Sequence, residues 1–145
     1  MPRVPERHSV ARHRDRLCIV VACEDAAEAA DVGCHISQVH TGTLVTYRKA
    51  EDILLNAPAG RVALIVLAGG DDPSHIGRIL SWIRRRWPRC PVAVIGNGGD
   101  AAMETAARIG GASYLARPVG PEQWVALVGH VLTMRGRIAT EAGLG

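Results

Sequence analysis

The sequence predicts a single α/β domain, a doubly wound three-layer sandwich built on a five-stranded parallel sheet. Short continuous apolar runs rich in β-branched residues, typical of strands buried on both faces, alternate with segments whose apolar residues recur at helical intervals. The length of 145 residues and the composition, 48% hydrophobic and 21% charged, are those of one soluble globular domain. The strands should be parallel because a helix separates each strand from the next.

The first half of the domain is predicted to contain three strands and two helices. The strands are LCIVVA (17–22), TLVTY (43–47) and VALIVLA (62–68), and the third should be central because its buried-strand pattern is the strongest. Residues 23–40 carry Ala and Val at helical intervals, and Glu24 or Asp25 is available to cap the start of this helix. Residues 49–57 form a second, short helix.

The second half is predicted to contain three helices and two strands. In the third helix Asp72 is the N-cap, Pro73 is the first residue, and the apolar positions are Ile76, Ile79, Leu80, Ile83 and Trp87. The strand PVAVIG (91–96) follows, and Asp100 caps a helix that ends at Gly110-Gly111. After the strand ASYLA (112–116), Pro121 opens a last helix with an apolar face formed by Trp124, Leu127, Val128, Val131 and Leu132.

The distribution of charge and the spacing of the cysteines limit what the protein can bind and where it is expected to act. Residues 1–16 are predicted to be a flexible basic arm with five Arg and two acidic residues, whereas the charges from Leu17 onward cancel. The domain is therefore placed at 17–134, followed by a flexible tail at 135–145. Because the domain carries no net charge, nucleic-acid binding is not favoured unless an output domain is attached. Four cysteines without a CxxC pair indicate a reducing compartment, hence the cytoplasm, and no apolar run is long enough for a membrane span.

Ligands of a doubly wound sheet gather beyond the carboxyl ends of its strands. Four such ends read ACED, AGGDD, GNGGD and ARPVG. The loop GNGGD lacks the spacing of a phosphate-binding motif and is interpreted as a tight connection. Asp71 and Asp72 are interpreted as helix-capping and solvated residues.

Two segments carry a resemblance to a known family. The order of elements, together with RILSWIRRRWPRCPVAVIG (78–96) and GGASYLARPVGPEQWVALVGHVL (110–132), resembles the receiver domain of bacterial two-component response regulators over about Arg16 to Leu132. The resemblance implies the (βα)5 receiver fold, which is flavodoxin-like. In that family the third strand ends in the Asp that accepts a phosphoryl group. An acidic pair after the first strand helps to hold Mg²⁺, a Thr or Ser ends the fourth strand, and a Lys precedes the Pro.

The resemblance also implies that this chain lacks receiver chemistry. It places Ala68 at the phosphoacceptor position, Gly96 at the hydroxyl position, Arg117 at the Lys position and Tyr114 at the aromatic that changes rotamer on activation. The acidic pair falls on Ala22 and Cys23, on Cys23 and Glu24, or, with a shifted register, on Glu24 and Asp25. Arg117 either pairs with Glu24 or Asp25 and closes the vacant pocket, or is exposed without a fixed partner.

Two further clusters of residues are interpreted as surface features without a specific function. Cys34, His35 and His40 lack a fourth ligand at a sensible spacing, so we expect helix-surface residues and no metal site. Arg84, Arg85, Arg86 and Arg89 are expected to be a solvated helix end, with an acidic partner as the alternative. Trp82 departs from the apolar stripe of its own helix and either lies partly over the surface or takes part in a contact.

We therefore expect a pseudo-receiver, a signalling module that is not an enzyme, cannot be phosphorylated and needs no cofactor. The resemblance implies protein contacts or homodimerisation through the face of the fourth helix, fifth strand and last helix, at Ala101 to Ile109, Ala112 to Leu115 and Glu122 to Leu132. The alternative is a regulatory domain that binds a small ligand or nucleotide in the vacant pocket. An enzyme is not favoured because no nucleophile, base or metal constellation is visible.

Overall fold

The computed structural model of the chain describes residues 17–40, 42–70 and 72–131. The predicted basic arm at 1–16, the end of the predicted domain at 132–134, the tail at 135–145, and Asp71 and Leu132 lie outside these residues. Among the described residues no helix is long and apolar enough to cross a membrane.

The described chain alternates between strands and helices in the predicted order. The strands are β1 (Leu17–Cys23), β2 (Thr43–Tyr47), β3 (Arg61–Ala68), β4 (Val92–Asn97) and β5 (Ser113–Arg117). The helices are α1 (Ala26–Val39), α2 (Ala50–Leu55), α3 (Pro73–Arg86) and α4 (Ala101–Ile109), and the residues described after β5 include a helix, α5, at 121–131. The predicted elements are thus confirmed, with boundaries that differ by a few residues.

The five strands form one parallel sheet in the order β2-β1-β3-β4-β5. The central strand is β3, as predicted, and six consecutive residues of it are buried. Helices α2, α3 and α4 cover one face of the sheet, while α1 and α5 cover the other, where Trp124 is the largest buried side chain. The doubly wound three-layer sandwich predicted from the sequence is confirmed.

Three of the helices that leave the carboxyl edge of the sheet are capped at their start by an aspartate. Asp25 accepts hydrogen bonds from the amides of Ala27 and Glu28, Asp72 accepts from Ser74, and Asp100 accepts from Met103. Each cap satisfies N–H groups that have no partner within the helix. Of the three capped helices, α1 and α3 contribute residues to the crevice at that edge, so their caps fix where those parts of its wall begin.

Candidate functional site

A crevice lies at the carboxyl edge of the sheet, where the ends of β1, β3 and β5 meet. It encloses a cavity of ≈ 220 Å³. Its floor is formed by Ala22, Leu67 and Ala68, and its walls carry charged or polar side chains from Glu24, Asp25, Glu28, Arg48, Glu51, His75 and Arg117. This is the place where a doubly wound sheet binds ligands.

Arg117, the last residue of β5, is held by the carboxylate of Glu28 in the first turn of α1. Its Nε donates to Glu28 Oε2 at 2.6 Å and its Nη2 donates to Glu28 Oε1 at 3.0 Å. The guanidinium also donates to Asn97 Oδ1 at 3.2 Å and to the carbonyl of Gly69 at 3.3 Å. Both side chains of this two-point ion pair are less than a third exposed, and both line the crevice.

The predicted partners of Arg117 were wrong. Glu24 is exposed and Asp25 is engaged in capping α1, whereas Glu28, one turn into that helix, reaches Arg117. The first helical turn places position 28 on the crevice side because residues three apart share a face of the helix. The spacing from Asp25 to Glu28 was the signal that could have indicated this residue.

The ion pair and burial set the charge states of Glu28 and of the neighbouring Cys23. Hydrogen bonds from Arg117 lower the pKa of Glu28 despite partial burial, so its carboxylate stays ionised at neutral pH. Burial raises the pKa of Cys23 to about 11, and the thiol lies 3.5 Å from Glu28 Oε1 as a donor. Cys23 is therefore a neutral hydrogen-bond donor at neutral pH rather than a nucleophilic thiolate.

Ala68 ends β3 on the floor of the crevice. It pairs with Cys23 of β1 and with Ile95 of β4, and its methyl group packs against the core on the face that carries α1 and α5. The backbone carbonyl of the next residue, Gly69, accepts from Arg117. This strand end therefore contributes backbone acceptors and a methyl group, but no carboxylate or hydroxyl.

Tyr114 lies across Gly96. Its hydroxyl donates to the carbonyl of Asn97 at 2.7 Å, and its ring packs against the core on the face that carries α2, α3 and α4. A Cβ placed on Gly96 would have Tyr114 atoms as its three nearest neighbours, with Cε1 and Cζ at 2.9 Å and Oη closer still. The absence of a side chain at position 96 is what allows the tyrosine to occupy this place.

Cys34, His35 and His40 were expected to be helix-surface residues, and the loop GNGGD was expected to be a tight connection. Cys34 is exposed on α1, and His35 lies 3.7 Å from Asp31 on the same helix. The expectation of a helix-surface position was wrong for His40, which caps the end of α1 and is buried. No group of three or more His, Cys, Asp or Glu residues that could hold a metal ion occurs in the described part of the chain. In the loop GNGGD, Gly99 has φ of +83°, which fits a tight connection.

Arg84 does not belong to a purely solvated cluster. It donates to the carbonyls of Cys90 at 2.8 Å, Gly111 at 2.6 Å and Gly110 at 3.3 Å. Arg85, Arg86 and Arg89 are exposed, as expected for a helix end. Sequence reasoning also missed the contact between His75 and Glu51, 2.6 Å apart at the crevice, which joins α3 to α2.

Comparison with known proteins identifies the architecture. A response regulator receiver protein from Pseudoalteromonas atlantica matches with a TM-score of 0.71 and 15% identity, over 81% of this chain and 98% of that one. The BeF3-activated receiver domain of DrrB, a Thermotoga maritima protein, matches with a TM-score of 0.66 and 24% identity, over 81% of this chain and 97% of that one. The chain has the receiver fold.

A third match has the same architecture. The CheY-like protein TadZ from Pseudomonas aeruginosa has a TM-score of 0.68 and 16% identity, over 79% of this chain and 98% of that one. No protein-family model and no curated protein matches the sequence. Within the receiver fold, Ala68, Gly96 and Arg117 lie at the ends of three neighbouring strands, and their assignment to the phosphoacceptor, hydroxyl and Lys positions stays a prediction.

Proposed function

We propose that the chain is a receiver-like signalling module that takes up no phosphoryl group at the strand-end site and acts through protein contacts. The observation that carries this proposal is the pairing of Arg117 with Glu28 beside Ala68. Phosphoryl transfer to a receiver needs an acceptor carboxylate, a metal ion and a free cation at one point. Here the strand end offers a methyl group, and the cation and the nearest carboxylate neutralise each other.

The donor set also does not fit the Mg²⁺ that the receiver fold implies. Mg²⁺ demands oxygen ligands in a near-octahedral arrangement. Both oxygens of Glu28 accept from Arg117, one oxygen of Asp25 accepts from two helix amides, and position 68 has no side-chain oxygen. Glu24 also lines the crevice, but no group of three or more His, Cys, Asp or Glu residues that could hold a metal ion occurs among the described residues. No metal-dependent step is therefore assigned to this chain.

The face we propose for protein contacts consists of α4, β5 and α5. Its exposed apolar residues include Ile109, which is 82% exposed, and Val125, which is 54% exposed. Tyr114 sits beneath this face with its hydroxyl on Asn97 and its ring over Gly96. Because these contacts are internal to the fold and need no phosphate, the face is expected to stay in one dominant state and to bind constitutively.

The first experiment tests the chemistry. The chain is incubated with acetyl phosphate and Mg²⁺, and its intact mass is measured. We expect no added phosphoryl group, because Ala68 cannot accept one and Asp72 is engaged in capping α3. A stoichiometric adduct mapped to Asp71 or Asp72 would overturn the proposal.

The second experiment tests the face. Self-association and partner pull-down are compared for Ile109→Glu, Val125→Glu and Ala68→Asp, with Leu55→Glu as the control. Leu55 is 77% exposed on α2, outside the proposed face, so it matches the exposure and the charge change of the first variant. We expect loss of association only in the variants at Ile109 and Val125.

The crevice itself supports a second candidate, a regulatory domain that binds a small ligand or nucleotide. The supporting observation is the cavity of ≈ 220 Å³ with Arg48 and His75 in its wall. A thermal-shift screen against nucleotides separates the two functions, because a ligand that binds the folded state raises Tm. Stabilisation that is lost on altering Arg117 or Asn97, with unchanged association of the face variants, would favour the crevice.

A further inference from the structure

The outer surface of α3 combines arginines with an exposed indole. Arg78, Trp82 and Arg85 follow one another at spacings of four and three residues, which places them along one face of the helix. Arg86 and Arg89 extend this face around the end of α3, and the four arginines are exposed. Trp82 is 44% exposed. We call these five residues the arginine–tryptophan face.

The arginines of this face have no carboxylate partner within the described residues. Arg86 lies over the ring of Trp87 at 4.9 Å, and Arg78, Arg85 and Arg89 make no hydrogen bond or ion pair with residues 17–40, 42–70 or 72–131. The helix contains no Asp or Glu of its own. The face thus presents positive charge that the described fold does not neutralise.

The helix end below this face is held in place. Arg84 donates to three carbonyls, those of Cys90, Gly110 and Gly111, and so ties α3 to the turn after it and to the turn between α4 and β5. Gly111 has φ of +80°, and a Cβ on it would lie 3.1 Å from Arg84 Nη2, so this close approach depends on glycine. A surface ordered before binding loses less entropy when a partner arrives.

Charge and composition indicate the chemistry of the partner. Tryptophan and arginine are the residue types most enriched among those that dominate binding energy in protein interfaces. Guanidinium groups match carboxylates with two parallel hydrogen bonds, while the indole needs an apolar side chain opposite it. A protein segment that carries both carboxylates and an apolar residue satisfies all of these groups.

The width of the basic strip favours a narrow protein segment over a duplex or a membrane surface. The helices that pack on either side of α3 carry carboxylates, Glu51 and Asp52 on α2 and Glu104 on α4. Glu104 is already paired with Arg108 of its own helix at 3.0 Å. Glu51 lines the crevice and is paired there with His75. A broad polyanion laid over α3 would extend onto the flanking helices with Asp52 and Glu104, whereas a single segment along α3 would avoid them.

We propose that the arginine–tryptophan face is a docking surface for an acidic segment of another protein. It lies on α3 and shares no residue with the contact face of α4, β5 and α5. A failure of the proposed function therefore leaves this inference standing, and the reverse also holds.

The test uses the full chain as bait for a displayed library of random linear peptides. Enriched peptides should be net acidic and should contain an aliphatic or aromatic residue. Their affinity, measured by fluorescence anisotropy, should fall by about tenfold or more in Trp82→Ala and in Arg85→Glu. It should also weaken as NaCl rises from about 50 to about 500 mM.

The matched control for charge reversal is Lys49→Glu, because Lys49 is also exposed but precedes α2 at the crevice edge. This control, together with Leu55→Glu at an exposed position outside both faces, should change peptide affinity by less than about twofold. Circular dichroism verifies that each variant folds, and Arg78→Glu replaces any variant that does not. Enrichment of no peptide, or of neutral or basic peptides, overturns the proposal, as does affinity that survives both Trp82→Ala and Arg85→Glu. Tighter binding of a short DNA duplex or of phosphatidylglycerol vesicles through the same residues overturns it as well.

Discussion

The contact between Tyr114 and Gly96 predicts how the substitution Gly96→Ala changes the free energy of unfolding. Gly96→Ala places a methyl group where Tyr114 Oη, Cε1 and Cζ now lie. The ring must swing away, and its hydroxyl then loses the hydrogen bond to the carbonyl of Asn97. Gly96 does not have a positive φ, so the alanine introduces no backbone strain of its own.

The size of the change in unfolding free energy follows from two costs and one gain. Loss of one hydrogen bond costs about 1 kcal/mol. Overpacking costs about 1 to 3 kcal/mol, and its lower end applies because Tyr114 is only partly buried and can move outward. Alanine also loses less backbone entropy than glycine, which offsets about 0.5 to 1 kcal/mol of these costs. The expected net destabilisation is therefore about 1 to 1.5 kcal/mol, a fall in Tm of roughly 3 to 7 °C for a domain of this size.

A double-mutant cycle isolates the contact. The free energies of unfolding of the wild type, Gly96→Ala, Tyr114→Ala and the double variant are measured by urea denaturation. All three atoms nearest to the added Cβ belong to Tyr114, so the tyrosine-free background removes these close contacts. There Gly96→Ala should stabilise the strand by about 0.5 to 1 kcal/mol, because alanine loses less backbone entropy than glycine.

The decisive result is that Gly96→Ala should destabilise the wild type but stabilise the Tyr114→Ala variant. If Gly96→Ala destabilises the protein equally in both backgrounds, then Tyr114 does not lie over Gly96. If it stabilises the protein in both, the ring leaves its place at no cost. Either result would refute the argument that the missing side chain at position 96 holds the tyrosine in one state.

Three further predictions concern the crevice and the end of α3. Arg117→Met should cost about 1 to 3 kcal/mol in urea denaturation at pH 7, because Glu28 keeps its partly buried charge and loses its cation. Arg117 lowers the pKa of Glu28 below its usual value near 4.5, so the pair stabilises the fold above that pH and this contribution disappears as pH falls through the lowered pKa. The stability difference between wild type and Glu28→Gln should therefore shrink on acidification from pH 7 to about pH 3, and a constant difference would contradict the ion pair. Arg84→Ala should lower the free energy of unfolding by about 2 kcal/mol, because the side chain donates to three carbonyl groups. The control is Arg85→Ala at the exposed neighbouring position, and its free energy of unfolding should stay within about 0.5 kcal/mol of wild type in the same assay.

The elements, their order and their caps could be predicted from the sequence because the signals are local. Continuous apolar runs such as residues 62–68 are stable only as strands buried on both faces, and these runs occupy β1, β3 and β4. Asp72 followed by Pro73 indicates a helix start, and α3 begins there. Helices between all strands then leave a parallel, doubly wound sheet as the arrangement that buries every apolar face.

The partners within the site could not be predicted in the same way. Arg117 and Glu28 are 89 positions apart, and their pairing depends on how α1 lies above the sheet relative to β5. The same holds for Arg84, whose acceptors at 110 and 111 come from another helix–strand connection. Tyr114 over Gly96 depends on the register of β4 with β5, in which Val94 is opposite Tyr114 and Gly96 is opposite Ala116. Hydrophobic period and capping act within a few residues along the chain, whereas these contacts depend on distances that exist only after the layers have packed.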